Sequence, residues 1–139
     1  MKVFQISAVT LKVTDMKKSL LFYSKIPGLS LRYGGTNSDR FSSFEIENGN
    51  NKSYINLEFS GKEQGPSTSN FGRIIFYTND VDNLYLKLRN DKELAEIIVF
   101  ENKPMNATWG ERFFHVKDPD GYELSFAEPY KVTKESSTK

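Results

Sequence analysis

The chain has 139 residues, with 19 Lys and Arg against 18 Asp and Glu, and this balance of +1 gives no field that would favour nucleic acid. It contains no Cys, which excludes disulfides, thiolate metal sites and cysteine nucleophiles together. Apolar content is 37%, with 11 Phe and 7 Tyr as bulky core material, enough for one domain that folds without a covalent staple. No segment approaches the roughly 18 apolar residues of a membrane span, and MKVFQISAVTLKVTD lacks a signal-peptide run. A soluble, cytoplasmic protein with no nucleic-acid or membrane partner is the expectation.

In chain order, ISAVTLKV (6–13) is rich in β-branched residues and reads as a strand. Asp15 then offers an N-cap to MKKSLLFYSKI, where Met16, Leu20 and Tyr23 recur at helical spacing until Pro27-Gly28 stops the helix. LSLRYGG, RFSSFEIEN and SYINLEF supply three more strands, separated by Gly34-Gly35 and Asn48-Gly49-Asn50-Asn51. Residues 60–70, SGKEQGPSTSN, hold no large apolar residue and read as a linker. RIIFYTN is the next strand, Asp80 caps the helix VDNLYLKLRND, and AEIIVFE, RFFHV and YELSF follow as strands. The last two are joined by Asp118-Pro119-Asp120-Gly121, in which Pro pre-sets a turn φ, Asp accepts backbone N–H bonds and Gly tolerates positive φ. The tail KVTKESSTK is polar throughout and is expected to fray.

This order is β-α-β-β-β twice, an internal repeat in which Asp15 and Asp80 register at an offset of 65. The fold class is α+β. Two such modules, with VTLKVTDMKKSLLFYSKIPGL in the first and WGERFFHVKDPDGYELSF in the second, resemble the vicinal oxygen chelate superfamily. That superfamily includes glyoxalase I, bleomycin-resistance proteins, fosfomycin-resistance proteins and extradiol dioxygenases. The resemblance implies a single domain over 1–128, with modules at about 4–59 and 71–128, linker 60–70 and tail 129–139. It further implies a curled mixed sheet around a cavity, and assembly as a homodimer.

Metal-using members of that superfamily take one ligand from each first strand and one from each last strand. Carried over by position, these fall on Ala8, on Arg73, on Glu58 or else Asn56, and on Ser125. Ala8 has no donor atom, Arg73 brings a fixed positive charge and Ser125 is a weak neutral ligand, so a zinc, nickel, manganese or iron centre is disfavoured. Three roles stay open for Arg73: a pair with Glu58, recognition of a carboxylate or phosphate on a small molecule, or a strand-edge residue meeting solvent.

His115, the chain's one histidine, shares a strand face with Phe113 and is either a site imidazole or an ordinary half-buried strand residue. Trp109 could stack on an aromatic ligand and Arg112 bind its acidic group; equally, Trp109 could cover the open end of the sheet. Tyr54 has a hydroxyl that could orient a ligand. The sequence therefore points to small-molecule binding in an aromatic-lined cavity without a cofactor, through Arg73, Trp109, Arg112, Tyr54, Ser125 and His115. The alternative is a glyoxalase I-like lyase or a related isomerase or dioxygenase. It would use Glu58 as catalytic carboxylate, or a relocated divalent metal on Glu58, Glu123 and His115.

Overall fold

The computed structural model describes residues 1–61 and 71–130. The expected linker from residue 62 onward and the expected frayed tail from 131 lie outside the described residues. The chain divides into two compact units, Met1–Ser67 and Thr68–Lys139.

The first unit starts with β1 (Ala8–Val13) and α1 (Met16–Ser24). Asp15 stops the strand and opens the helix, its carboxylate accepting the Lys18 N–H at 3.1 Å. Met16, Leu20 and Tyr23, the residues at helical spacing, are buried. Then come β2 (Ser30–Tyr33), β3 (Phe41–Asn48) and β4 (Asn51–Phe59). The sheet order is β1-β4-β3-β2, with β1 parallel to β4 and the other neighbours antiparallel. Alternation along β1 sends Leu11 and Val13 toward α1, where they join Phe22, Tyr23, Phe44, Ile55 and Leu57 in a core.

The second unit repeats this plan. It contains β5 (Arg73–Tyr77), α2 (Val81–Arg89), β6 (Val99–Phe100), β7 (Met105–Asn106), β8 (Glu111–Lys117) and β9 (Glu123–Pro129). Asp80 repeats the cap, accepting the Asn83 N–H at 3.1 Å. Sheet order is β5-β9-β8-β6, with β7 also on β8 and with β5 parallel to β9. Phe114 and Phe126 meet at 5.3 Å between ring centroids, and Tyr85 of α2 sets its ring edge against Phe114 at 5.2 Å. Burying each such ring stabilises the unit by about 2–3 kcal/mol.

Two sequence expectations are corrected here. AEIIVFE is not a seven-residue strand: Leu94 and Ile98 are buried plugs of a turn in which the Ile97 and Ile98 N–H groups both bond Leu94 O, and only Val99–Phe100 pairs with β8. The folded unit also runs past residue 128. Pro129 lies in β9, and Tyr130 bonds back through its N–H to Gly110 O and through its hydroxyl to Ala107 O.

The Asp118–Gly121 turn does what its residues dictate. Asp118 Oδ1 accepts the N–H groups of Asp120 and Tyr122, both at 2.9 Å, and Gly121 takes φ 89°. The turn fixes the register that sets His115 opposite Ser125. Among the described residues no helix is long and apolar enough to cross a membrane.

Candidate functional site

In each unit the helix covers one sheet face, so the chemistry collects on the other. For the second unit, alternation and register place Arg73, Ile75 and Tyr77 of β5 on that face. With them stand Glu123, Ser125 and Ala127 of β9 and Glu111, Phe113, His115 and Lys117 of β8. Ile75, Tyr77 and Trp109 are exposed.

One end of this face is a polar cluster around Ser125, which is 2% exposed. Arg73 donates to Leu124 O at 3.0 Å, to Ser125 Oγ at 3.2 Å and to Glu123 at 3.3 Å, and lies 3.8 Å from Glu101. His115 Nδ1 is 2.6 Å from the same Ser125 Oγ. Lys117 pairs with the second oxygen of Glu101 at 3.8 Å. Asn102 Oδ1 accepts the His115 backbone N–H at 2.9 Å, and Glu101 N–H bonds His115 O at 2.9 Å, so the chain after β6 also pins this residue. Burial, then the Arg73 charge, hold the His115 imidazole below its ordinary pKa, with Glu101 and Glu123 pulling the other way. Toward the other end the Phe113 ring lies 4.8 Å from His115 and 6.3 Å from Trp109, nearly parallel to the indole at 20°. The Trp109 N–H bonds Glu111 at 3.1 Å, and the Tyr77 hydroxyl donates to the same carboxylate, which raises the phenol's pKa.

Arg112 does not belong to this face. Strand alternation turns it with Phe114 and Val116 toward α2, where it donates to both carboxylate oxygens of Asp82 at 3.0–3.2 Å and to Asn106 at 3.1 Å. The hydrogen bond from Arg112 holds the Asp82 carboxyl below its usual range. Arg112 is thus a clamp between helix and sheet, and the acid-binding role expected beside Trp109 does not fit its direction.

The first unit's face carries Ala8, Thr10 and Lys12, then Tyr54, Asn56 and Glu58, then Phe41, Ser43 and Glu45. Ser43 Oγ donates to Asn56 Oδ1 at 2.7 Å, and Asn56 Nδ2 donates to Thr10 Oγ1 at 3.2 Å. Glu45, 3% exposed, is held by Arg32 and by Lys52 at 3.5 Å, and the Arg32 hydrogen bond keeps its carboxyl below the usual range. Glu58 sits 3.7 Å from Lys12 as a half-exposed surface pair, and Tyr54 lies opposite Ala8 and Glu45. Arg73 finds carboxylates within its own unit, at Glu123 and Glu101.

Register also decides between Glu58 and Asn56. Ser125 pairs with Ile75, two residues beyond Arg73; Asn56 pairs with Thr10, two residues beyond Ala8. Asn56 therefore holds in the first unit the place of Ser125 in the second. The four positions do not fit a divalent ion. Ala8 offers no donor, Arg73 is cationic, Ser125 Oγ is engaged by Arg73 and His115, and Glu58 by Lys12. Among the described residues, no group of three or more His, Asp and Glu side chains is placed to hold a metal ion.

Glu101, Asn102, Lys117 and Phe113 were not on the sequence's site list. Lys117 and Phe113 share strand parity with His115 and could have been found that way. Glu101 and Asn102 follow a two-residue strand and had no periodic signal.

The fold recurs in solved proteins. A glyoxalase/bleomycin resistance protein/dioxygenase from Nocardioides superposes with a TM-score of 0.67 at 17% identity, over 96% of this chain and 88% of that one. A superfamily member from Sphaerobacter thermophilus gives 0.62 at 21% identity, over 91% and 98%. A family enzyme from Burkholderia phytofirmans gives 0.66 at 15% identity, over 88% and 97%. No curated protein matches the chain. The profile of the Glyoxalase/Bleomycin resistance protein/Dioxygenase superfamily matches residues 5–126, nearly all of the folded chain, and the protein belongs to that superfamily.

Proposed function

We propose that this protein binds a small, flat molecule on the helix-free side of its second unit, without a divalent metal centre. The observation that carries the reading is the mutual engagement of Arg73, Ser125 and His115, beside the open aromatic run of Phe113 and Trp109. Where the superfamily's metal users need anionic or imidazole donors, this chain places a guanidinium and a hydroxyl that satisfy each other. Small-molecule sites pair apolar and aromatic walls with a few fixed polar groups, and this face has both. Acid–base turnover by Glu58 draws no support from its solvated pair with Lys12.

Trp109 is the chain's one tryptophan, so its fluorescence reports this face alone. Titration with uncharged aromatic ketones, aromatic carboxylates and aromatic amines should give a saturable change with at least one class, weakened by Phe113→Ala. Calorimetry of the untagged protein with nickel and zinc should show no stoichiometric binding. Tight metal binding that Glu58→Gln abolishes would overturn the metal-free reading.

A further inference from the structure

Hydrogen-bond direction around Ser125 can be worked out from donor inventory. A guanidinium has donors and no acceptor, so in the 3.2 Å contact Arg73 donates and Ser125 Oγ accepts. The serine has one proton left to give. At 2.6 Å the His115 Nδ1 is the acceptor in reach, and among the described residues this buried hydroxyl has no other. Nδ1 must then be bare, which puts the ring proton on Nε2. That nitrogen has no hydrogen-bond partner among the described residues, and its ring is half-buried next to the Phe113 ring.

We propose that His115 is the fixed hydrogen-bond donor of this site, held in the Nε2–H form by Ser125 and Arg73 as positioning residues. Its ligand is an uncharged, flat molecule bearing a carbonyl acceptor. The inference rests on the small-molecule reading above and names the ligand class.

Charge selects the acceptor. The cations facing His115 are Arg73 from β5 and Lys117 from β8. The anions are Glu123 from β9 and Glu101 after β6. They cancel, and Arg73 directs three of its five donors to Leu124 O, Ser125 and Glu123. A carboxylate or phosphate would thus meet two glutamates and a guanidinium whose charge they already pair, whereas a carbonyl oxygen needs just the one N–H that His115 offers. The sequence-level option of Arg73 as an anion reader gives way to Arg73 as the start of a relay. Phe113 and Trp109 supply the flat wall on which the rest of the molecule lies.

The chain's one histidine makes the test unambiguous. Long-range proton–nitrogen correlation NMR on the nitrogen-15-labelled protein, at a pH about 1.5 units above the ordinary histidine value, should show the ring proton on Nε2. A proton on Nδ1, or a tautomer mixture, overturns the proposal in the unmodified protein. Ser125→Ala should relax the ring to a mixture and raise its pKa, and Arg73→Met should act in the same direction. An unchanged Nε2–H form in a folded Ser125→Ala variant would also overturn it. Acetophenone and benzoate, matched in ring but not in charge, are the ligand probes. Acetophenone should shift the Nε2–H signal with an affinity about tenfold above benzoate's, and the reverse order would sink the ligand class. Absence of any small-molecule binding by Trp109 fluorescence would instead remove the binding reading while the tautomer result stood.

Discussion

The two units share strand order, parallel first-to-last pairing and an Asp-capped helix, yet their helix-free faces run different hydrogen-bond ladders. In the first, Ser43, Asn56 and Thr10 bond in series across three strands. In the second, register puts His115 at the place of Ser43 and Ser125 at the place of Asn56, while Arg73 reaches in from the place of Ala8. The first ladder is made of neutral groups and its members satisfy one another. The second ends in an imidazole with an unspent N–H and sits among four charges. A duplicated scaffold thus carries two different polar ladders, and side-chain choice at three equivalent positions separates them.

Removing what the units share should have the largest effect. Phe126→Ala, which empties the ring cluster with Phe114 and Phe76, should lower unfolding free energy by about 3–5 kcal/mol in urea denaturation. Phe44→Ala, at a fully buried ring of the first unit, should cost a similar amount, and a loss below about 1 kcal/mol at either site would break the symmetry of the two cores. Next in size, Ser43→Ala should cost about 1 kcal/mol at any pH, because its ladder contains no titrating group.

The second ladder should respond to pH. The His115 pKa is lower folded than unfolded, so below about pH 6.5 the unfolded chain binds more protons. This contribution to stability is complete above that pH and is lost as pH falls through the folded pKa. Denaturation at a series of pH values should show the slope in the parent and a flatter one in His115→Gln; equal slopes would remove the imidazole as its source. The smallest expected effect is Arg112→Met. It breaks a partly exposed pair with Asp82 and should cost about 0.2–1 kcal/mol, shrinking in high salt.

Local chemistry was legible in the sequence. Asp15 and Asp80 announced two helices because capping is decided within one turn, and Asp118-Pro119-Asp120-Gly121 announced its hairpin for the same reason. Alternation put Phe113 with His115 and set Phe114 apart, and the structure agrees. What pairs with what across strands was not legible. Asn56 as the counterpart of Ser125, and Arg112 as a partner of Asp82, depend on register and on helix placement. The stretch 95–101 misled because an apolar run fits a strand or a set of turn plugs equally well.

The break between β6 and β7 has one more consequence. A continuous strand there would present a regular row of unpaired N–H and C=O groups on the outer side of β6, a template onto which a strand from another molecule could zip. Instead the edge is two dipeptides separated by Glu101, Asn102, Lys103 and Pro104, of which Pro104 has no N–H to give and Asn102 turns its side chain inward to His115. The same interruption that brings Glu101 and Asn102 beside His115 therefore blunts this edge of the sheet against runaway polymerisation.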